Sequence, residues 1–311
     1  MAVYAITGGA GFIGSHLADD LLADGHQVRV LDDLSTGRRS QLDSRSDLIV
    51  ADVCDDAALA RLLDGADAVF HLAAIASVVR SNEDPVGTNR VNLGGTVAVL
   101  DAARGAGRIP VVYASSAAIY GNQPGGPVHE GLIPAPRSAY GADKLGSEMH
   151  AGAAFTVHGV PTFGVRFFNI YGPRQNPDSP YSGVISIFAG WVAHRQRLVI
   201  HGDGRQLRDF VYVDDAVCHL RAGLRLLQDA PRAAVVNVCT GTGTSILELA
   251  QTIGQIAGKH PEIAFAPARE GDIRTSIGDP GRARALLGIS ANTSLRDGLA
   301  ATLASKLLIA V

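Results

Sequence analysis

The 311-residue chain is 47% hydrophobic and 18% charged, with 36 glycines. It therefore has enough apolar side chains to offset the entropy of ordering, and the composition excludes disorder and fibrous repeats. A formal charge of −3 gives no electrostatic reason to bind nucleic acid or an anionic membrane surface, so small molecules are the expected partners.

The apolar run from Met1 to Ile6 is broken by Thr7-Gly8-Gly9 with no basic stretch before it, unlike a secretory signal, and no apolar run approaches about 18 residues. Cys54, Cys218 and Cys239 are odd in number and form no CxxC pair, which predicts neither a disulfide framework nor a metal site. The expectation is a cytoplasmic protein without a membrane span.

Short apolar or β-branched runs then alternate with helical stretches. Strands are predicted at Val3–Thr7, Val28–Leu31, Leu48–Ala51, Ala68–Leu72, Pro110–Ala114 and Thr162–Phe167. Each is nearly continuously apolar, as parallel strands covered on both faces are. Between the first two, Ile13, Leu17 and Leu21 form a helical stripe that ends at Gly25, giving one βαβ unit. The fold class that follows is α/β, a Rossmann-like doubly wound parallel sheet. After Asn169 the texture changes to a Gly-, Pro- and Asn-rich stretch reaching Gly183. The division falls there: a dinucleotide-binding domain over 1–170, open to a return by later segments, and a smaller α/β substrate-binding domain over 171–311. In the latter we predict a helix at Val184–His194, a strand at Arg197–His201, a helix at Val213–Leu227, a strand at Val235–Val238 and a helix at Ser245–Ala257. From Ile263 a strand and two short helices complete the chain.

Thr7-Gly8-Gly9-Ala10-Gly11-Phe12-Ile13-Gly14 follows the first strand and opens the first helix, the context that makes a glycine pattern a dinucleotide fingerprint. Gly8 permits the tight turn, Gly11 lets backbone approach a pyrophosphate, and Gly14 lets helix and strand pack closely. Asp32 closes the second strand, where a carboxylate accepts hydrogen bonds from ribose hydroxyls and repels a 2′-phosphate, so NAD is favoured over NADP. Asp52-Val53 and His71-Leu72-Ala73-Ala74 fall at strand ends facing the adenine and the nicotinamide-side ribose, with His71 itself read as a packed or capping residue.

Tyr140 and Lys144 are four apart in a helical stretch, so both emerge on one face. With three lysines and seven tyrosines in the chain, this pairing is not a product of chance. A tyrosine of pKa ~10 acts as a base at neutral pH only when nearby positive charge favours the phenolate, and Lys144 is placed to supply it. Ser116, after the fifth strand, can reach the same reacting oxygen.

Together with DDLSTG (Asp32–Gly37), YASSAAIYG (Tyr113–Gly121), RFFNIYGPR (Arg166–Arg174) and RDFVYVDD (Arg208–Asp215), these motifs run in the order found in the extended short-chain dehydrogenase/reductases. The chain resembles their NAD-dependent nucleotide-sugar epimerases and dehydratases over nearly its whole length. The resemblance implies a UDP-sugar substrate, with Tyr140 as general base, Lys144 on the nicotinamide ribose and Ser116 on the sugar hydroxyl. It implies that Phe12, Ile13, Ser35, Leu72, Ala73, Ala74, Asn92, Ser115 and Phe167 complete the NAD site. Asn169 would touch the diphosphate or sugar, Val184 and Phe210 would flank the uracil, and Arg208 and Arg269 would clamp the diphosphate. In similar 4-epimerases the residue four after Asp272, here Ser276, borders the sugar pocket. The resemblance also implies a homodimer paired through helices near Asn92–Arg104 and Tyr140–His158.

Dehydratases and decarboxylases of the family usually carry an acid two or three positions after the catalytic serine or threonine; here Ala118 and Ile119 stand there. This points to 4-epimerisation of a UDP-hexose through a 4-keto intermediate, plain or N-acetylated, with dehydration or uronate decarboxylation as the alternative. A noncatalytic NAD-binding sensor on the same fold remains the alternative of a different class. The chain departs from galactose-pathway members in carrying Ala76 where a lysine is common, and Ala114, Ala117 and Ala118 where serine and threonine run on.

Overall fold

The computed structural model describes residues 1–123, 125–175, 183–193, 197–260, 262–268 and 273–307. In chain order its first half runs β1 (Val3–Thr7), α1 (Phe12–Ala23), β2 (Gln27–Asp32), β3 (Asp47–Val50), α2 (Asp56–Leu63), β4 (Ala68–His71), α3 (Val78–Glu83), α4 (Pro85–Asn89), α5 (Gly95–Gly105), β5 (Val111–Ser116), α6 (Ala139–His158) and β6 (Thr162–Phe167). The second half runs β7 (Asn169–Tyr171), α7 (Val184–Ala193), β8 (Leu198–His201), β9 (Leu207–Arg208), β10 (Phe210–Tyr212), α8 (Val213–Asp229), β11 (Ala233–Val238), β12 (Thr244–Ser245), α9 (Ile246–Ile256), β13 (Ile263–Ala266), β14 (Thr275–Ser276), α10 (Gly281–Leu287) and α11 (Leu295–Leu307).

Seven parallel strands form one sheet in the order β11-β6-β5-β4-β1-β2-β3. The order reverses between β1 and β4, and the crevice above the carboxyl ends of those strands is where an open α/β sheet binds its ligand. The continuous apolar runs have the cause inferred for them. One face buries Leu17, Leu21, Phe70, Phe163 and Leu220. The other buries Leu59, Leu62, Val99, Tyr113 and Val160. Each such side chain contributes about 1.5–3 kcal/mol.

A third core gathers Tyr171, Phe188, Leu198, Ile200, Phe210, Leu249 and Leu303 around α7, α9 and α11. The chain leaves the large sheet after β6, builds part of this cluster, and comes back to it: β11 pairs with β6 from Ala233↔Thr162 to Val238↔Phe167.

One expectation is corrected. The fifth strand does not end at Ala114: Ser115 and Ser116 pair with Arg166 and Phe167 of β6, so both serines lie on the strand. Polar residues at a strand end read as turn in sequence, and only the neighbouring strand shows otherwise. The short strands β7, β9, β10, β12 and β14 span two or three residues each, too few to display a period.

Candidate active site

A cleft of about 710 Å³ runs along the carboxyl ends of the sheet, within the range of small-molecule sites. One end is formed by the turn after β1. Gly8 has φ +71°, and a Cβ there would lie 2.6 Å from Ala73 N. At Gly14 a Cβ would lie 2.3 Å from Gly8 O, so only glycine lets α1 approach the turn. Gly11 caps α1 with no side-chain hydrogen bond, leaving the first-turn N–H groups for an anion. A Cβ on Gly11 would meet only Gly8 O within 4 Å, and because Gly11 lines the cleft, a side chain there would occupy it. Phe12 and Ile13 line the same wall.

Asp32, buried at the end of β2, accepts hydrogen bonds from Ala10 N (3.0 Å) and Leu34 N (2.8 Å). Burial raises its pKa while those two N–H groups pull the other way. Ser35 donates its N–H (2.9 Å) and its hydroxyl (2.6 Å) to Asp33. Asp52 is ion-paired with Arg90 at 2.5 Å, and that guanidinium lowers the Asp52 pKa. Val53, Leu72, Ala73 and Ala74 complete this end.

His71 is buried, and its pKa is pushed down to about 3 by that burial, with Lys144 adding to the effect. Thr96 gives its hydroxyl proton to Asn92 O (2.7 Å), so the contact of His71 Nε2 with Thr96 Oγ1 (3.1 Å) must be donated by the imidazole. Nδ1 then accepts from Thr7 Oγ1 at 2.7 Å, and Thr7 Oγ1 accepts from Ala73 N at 3.3 Å. The neutral Nε2–H tautomer thus joins the loops after β1 and β4. Asn92 lies beneath the cleft rather than in its wall, holding Ile75 by its N–H (2.8 Å) and its carbonyl (3.3 Å).

At the other end α6 starts at Ser138, whose side chain accepts from Gly141 N at 3.1 Å. Its first turn delivers Tyr140 and its second delivers Lys144, and both line the cleft together with Ser116. The Lys144 Nζ donates to Ala114 O at 2.9 Å and sits 5.9 Å from the Tyr140 ring centroid. Burial lowers the Lys144 pKa to about 8, with Asp143 opposing, so the ammonium persists at neutral pH. Burial raises the Tyr140 phenol, and Ser116 lowers it. Ser116 Oγ also accepts from Ala118 N at 3.1 Å.

Ser115, Phe167 and Asn169 line this end, and Asn169 gives both its N–H and its side-chain amide to Asp209 O at 3.0 Å each. The arrangement can bind a dinucleotide along the glycine turn and transfer a proton at a hydroxyl set between Ser116 and Tyr140.

Val184, Arg208, Phe210 and Ser276 are not in the cleft wall. Val184 opens α7 next to Gly183, which is in the wall, and Phe210 packs in the third core. Arg208 and Ser276 are register partners on β9 and β14. Arg269 and Asp272 lie outside the described residues.

Sequence reasoning missed Arg80, Arg90, Gln175 and Gly183 in the wall, since none carries a motif of its own. It also missed Glu148, although its place four residues after Lys144 puts it on the Tyr140 and Lys144 face. Among the described residues no cluster of His, Cys, Asp or Glu is arranged to hold a metal, and no helix is long and apolar enough to cross a membrane.

A sequence profile described as the NAD dependent epimerase/dehydratase family matches residues 4–239. The chain is 40% identical over 306 residues to a UDP-glucose 4-epimerase of Mycolicibacterium smegmatis, covering 96% of each. Its structure matches that of a UDP-glucose 4-epimerase of Thermotoga maritima with UDP-glucose at a TM-score of 0.94 and 35% identity, covering 100% of both chains. It matches a UDP-N-acetylglucosamine 4-epimerase of Methanobrevibacter ruminantium in complex with UDP-N-acetylmuramic acid at 0.93 and 30% identity, covering 99% of this chain and 98% of that one.

Proposed function

The chain belongs to the NAD-dependent epimerase/dehydratase family, and on that premise we propose that it interconverts UDP-hexoses differing at C4, both plain and N-acetylated. The observation that carries this reading is that Tyr140, Ser116 and Lys144 line one cleft at the end of β5, with Ala118 and the fully buried Ile119 where an eliminating enzyme would need an acid.

The glycine turn, Asp32 and the loop after β4 form a cradle that fits NAD. Bound there, NAD would supply a hydride acceptor and donor for the sugar carbon and positive charge beside the phenol. Tyr140 takes the proton of the C4 hydroxyl and gives it back, and Ser116 holds that same oxygen. Lys144 contributes its ammonium charge next to the Tyr140 ring and is fixed by the Ala114 carbonyl. Asn169, Arg208, Phe210, Val184 and Arg269 are proposed to hold the nucleoside diphosphate. Val97 on α5 and Met149 on α6, both exposed, support pairing of two copies through those helices.

The test is incubation with UDP-glucose and with UDP-N-acetylglucosamine, followed by separation of the C4 epimers. Both should equilibrate with their galacto partners; a deoxy-keto product would instead identify dehydration, and release of carbon dioxide from UDP-glucuronate, run alongside, would identify decarboxylation. Ser276, half-buried on β14 opposite Arg208 of β9, is proposed to border the sugar, where its small side chain would admit an acetamido group. Ser276→Tyr should therefore suppress the N-acetylated pair more than the plain pair by about 5–150-fold, the equivalent of roughly 1–3 kcal/mol of overpacking. Equal loss on both pairs would remove Ser276 from sugar selection.

A further inference from the structure

Three successive residues of β5 face successive turns of α6. Ser116 shares the cleft wall with Tyr140, Ala114 O accepts from Lys144, and Ser115 Oγ donates to Glu148 Oε1 at 2.5 Å. Residues four and eight apart stay on one helical face, so Tyr140, Lys144 and Glu148 share it, with Glu148 about 12 Å along the axis from Tyr140. The first two pairings belong to groups that act on the substrate. The third belongs to a carboxylate buried below them.

Glu148 is itself held rigidly. From β6, Arg166 donates Nε to Oε1 at 2.9 Å and Nη2 to Oε2 at 2.7 Å, a two-pronged pair in which each side chain is only 7% exposed. The remaining prong, Nη1, donates to the Tyr120 hydroxyl at 2.8 Å, which in turn donates to Asn237 on β11 at 2.7 Å. Tyr120 closes the short turn that follows Ser116. The pair therefore grips the catalytic strand through Ser115 and, through Tyr120, the far end of the turn that Ser116 begins.

Resting on the role proposed above for Tyr140, Ser116 and Lys144, we propose that Glu148, clamped by Arg166, is a positioning residue that fixes the register of α6 on β5 and so the approach of the Tyr140 phenol to the Ser116 hydroxyl. A two-pronged pair sets an orientation as well as a distance. Displacements of a fraction of an ångström at a reacting pair are reflected in turnover rather than in ground-state binding.

The test compares Glu148→Gln, the double variant Glu148→Met with Arg166→Met, Ser115→Ala and Tyr140→Phe. For each, kcat and KM on UDP-glucose, bound NAD and the melting temperature are measured. Glu148→Gln should lower kcat by about tenfold or more while KM stays within about twofold and NAD content is unchanged. The double methionine variant leaves no unpaired buried charge, so its melting temperature should return towards wild type while kcat stays low.

If Glu148→Gln fails to fold, Ser115→Ala decides the matter. It spares the ion pair and cuts its tie to β5; because Ser115 also lines the cofactor cleft, kcat is read with NAD saturating, where it should fall while the melting temperature is kept. Recovery of kcat together with thermal stability in the double variant would reduce the pair to packing and overturn the proposal, as would wild-type kcat in Glu148→Gln or in Ser115→Ala. An inert wild type or a fully active Tyr140→Phe would overturn the reading of the site on which the proposal rests.

Discussion

Asp32→Asn is the sharpest probe of the cofactor end, because the carboxylate has two duties there. It receives the N–H groups of Ala10 and Leu34, one on each oxygen, at 3.0 and 2.8 Å, and it is 7% exposed. An asparagine keeps the shape but turns one acceptor into a donor, so whichever way the amide faces, one buried N–H loses its partner. That costs about 1–3 kcal/mol and should lower the melting temperature measurably. The second duty is discrimination. At an effective dielectric of about 20 and a separation of about 5 Å, each unit charge on a 2′-phosphate meets the carboxylate at a cost of roughly 3 kcal/mol. Wild type should therefore bind NAD at least about 100-fold more tightly than NADP, and the neutral variant should close that gap to about tenfold or less. Calorimetric titration of both cofactors into both proteins reads the two ratios. A wild type with equal affinities, or a variant that discriminates as well as wild type, would refute the reasoning.

Tyr140→Phe removes the hydroxyl that shares the cleft with Ser116 but keeps the ring, so folding and NAD binding should persist while turnover falls by about 10²–10⁴; near-wild-type turnover would exclude Tyr140 as the base. His71, ordinarily near 6.5 and pushed down to about 3 in the folded chain, should make stability fall with pH, because below 6.5 the unfolded state binds a proton that the native state refuses. The loss between pH 7.5 and 5.5 is about 1.4 kcal/mol from this residue, and urea unfolding should show His71→Gln missing that share of the slope.

The parts of the site that the sequence displays are those in which local spacing is itself the geometry. A glycine turn between a strand and a helix has one shape, and Tyr140 and Lys144 four apart on a helix can only face the same way. The rest depends on neighbours far away in the chain. Ser115 and Ser116 read as turn residues until β6 is seen beside them. Asp52, read as facing the adenine, is ion-paired with Arg90 on an irregular helical turn, a partner that no local spacing announces. Asn92, which the resemblance places in the NAD site, has its amide bonded to the backbone of Ile75, a partner seventeen residues away that sequence spacing does not show.

Asp209 carries the point furthest. It stands between Arg208 and Phe210 in the RDFVYVDD motif, and the structure buries it completely. Its oxygens accept from the N–H and hydroxyl of Thr240 and from the N–H groups of Gly241 and Gly278, while its own carbonyl receives both donors of Asn169. Burial raises its pKa against those donors, which is the electrostatic mark of a charge whose partners are backbone amides rather than a cation. Three loops must converge before such a carboxylate can be ionised in the interior. Its motif therefore records a position in the chain, and the convergence of β7, the end of β11 and the segment after β14 supplies the reason that an acid is needed there.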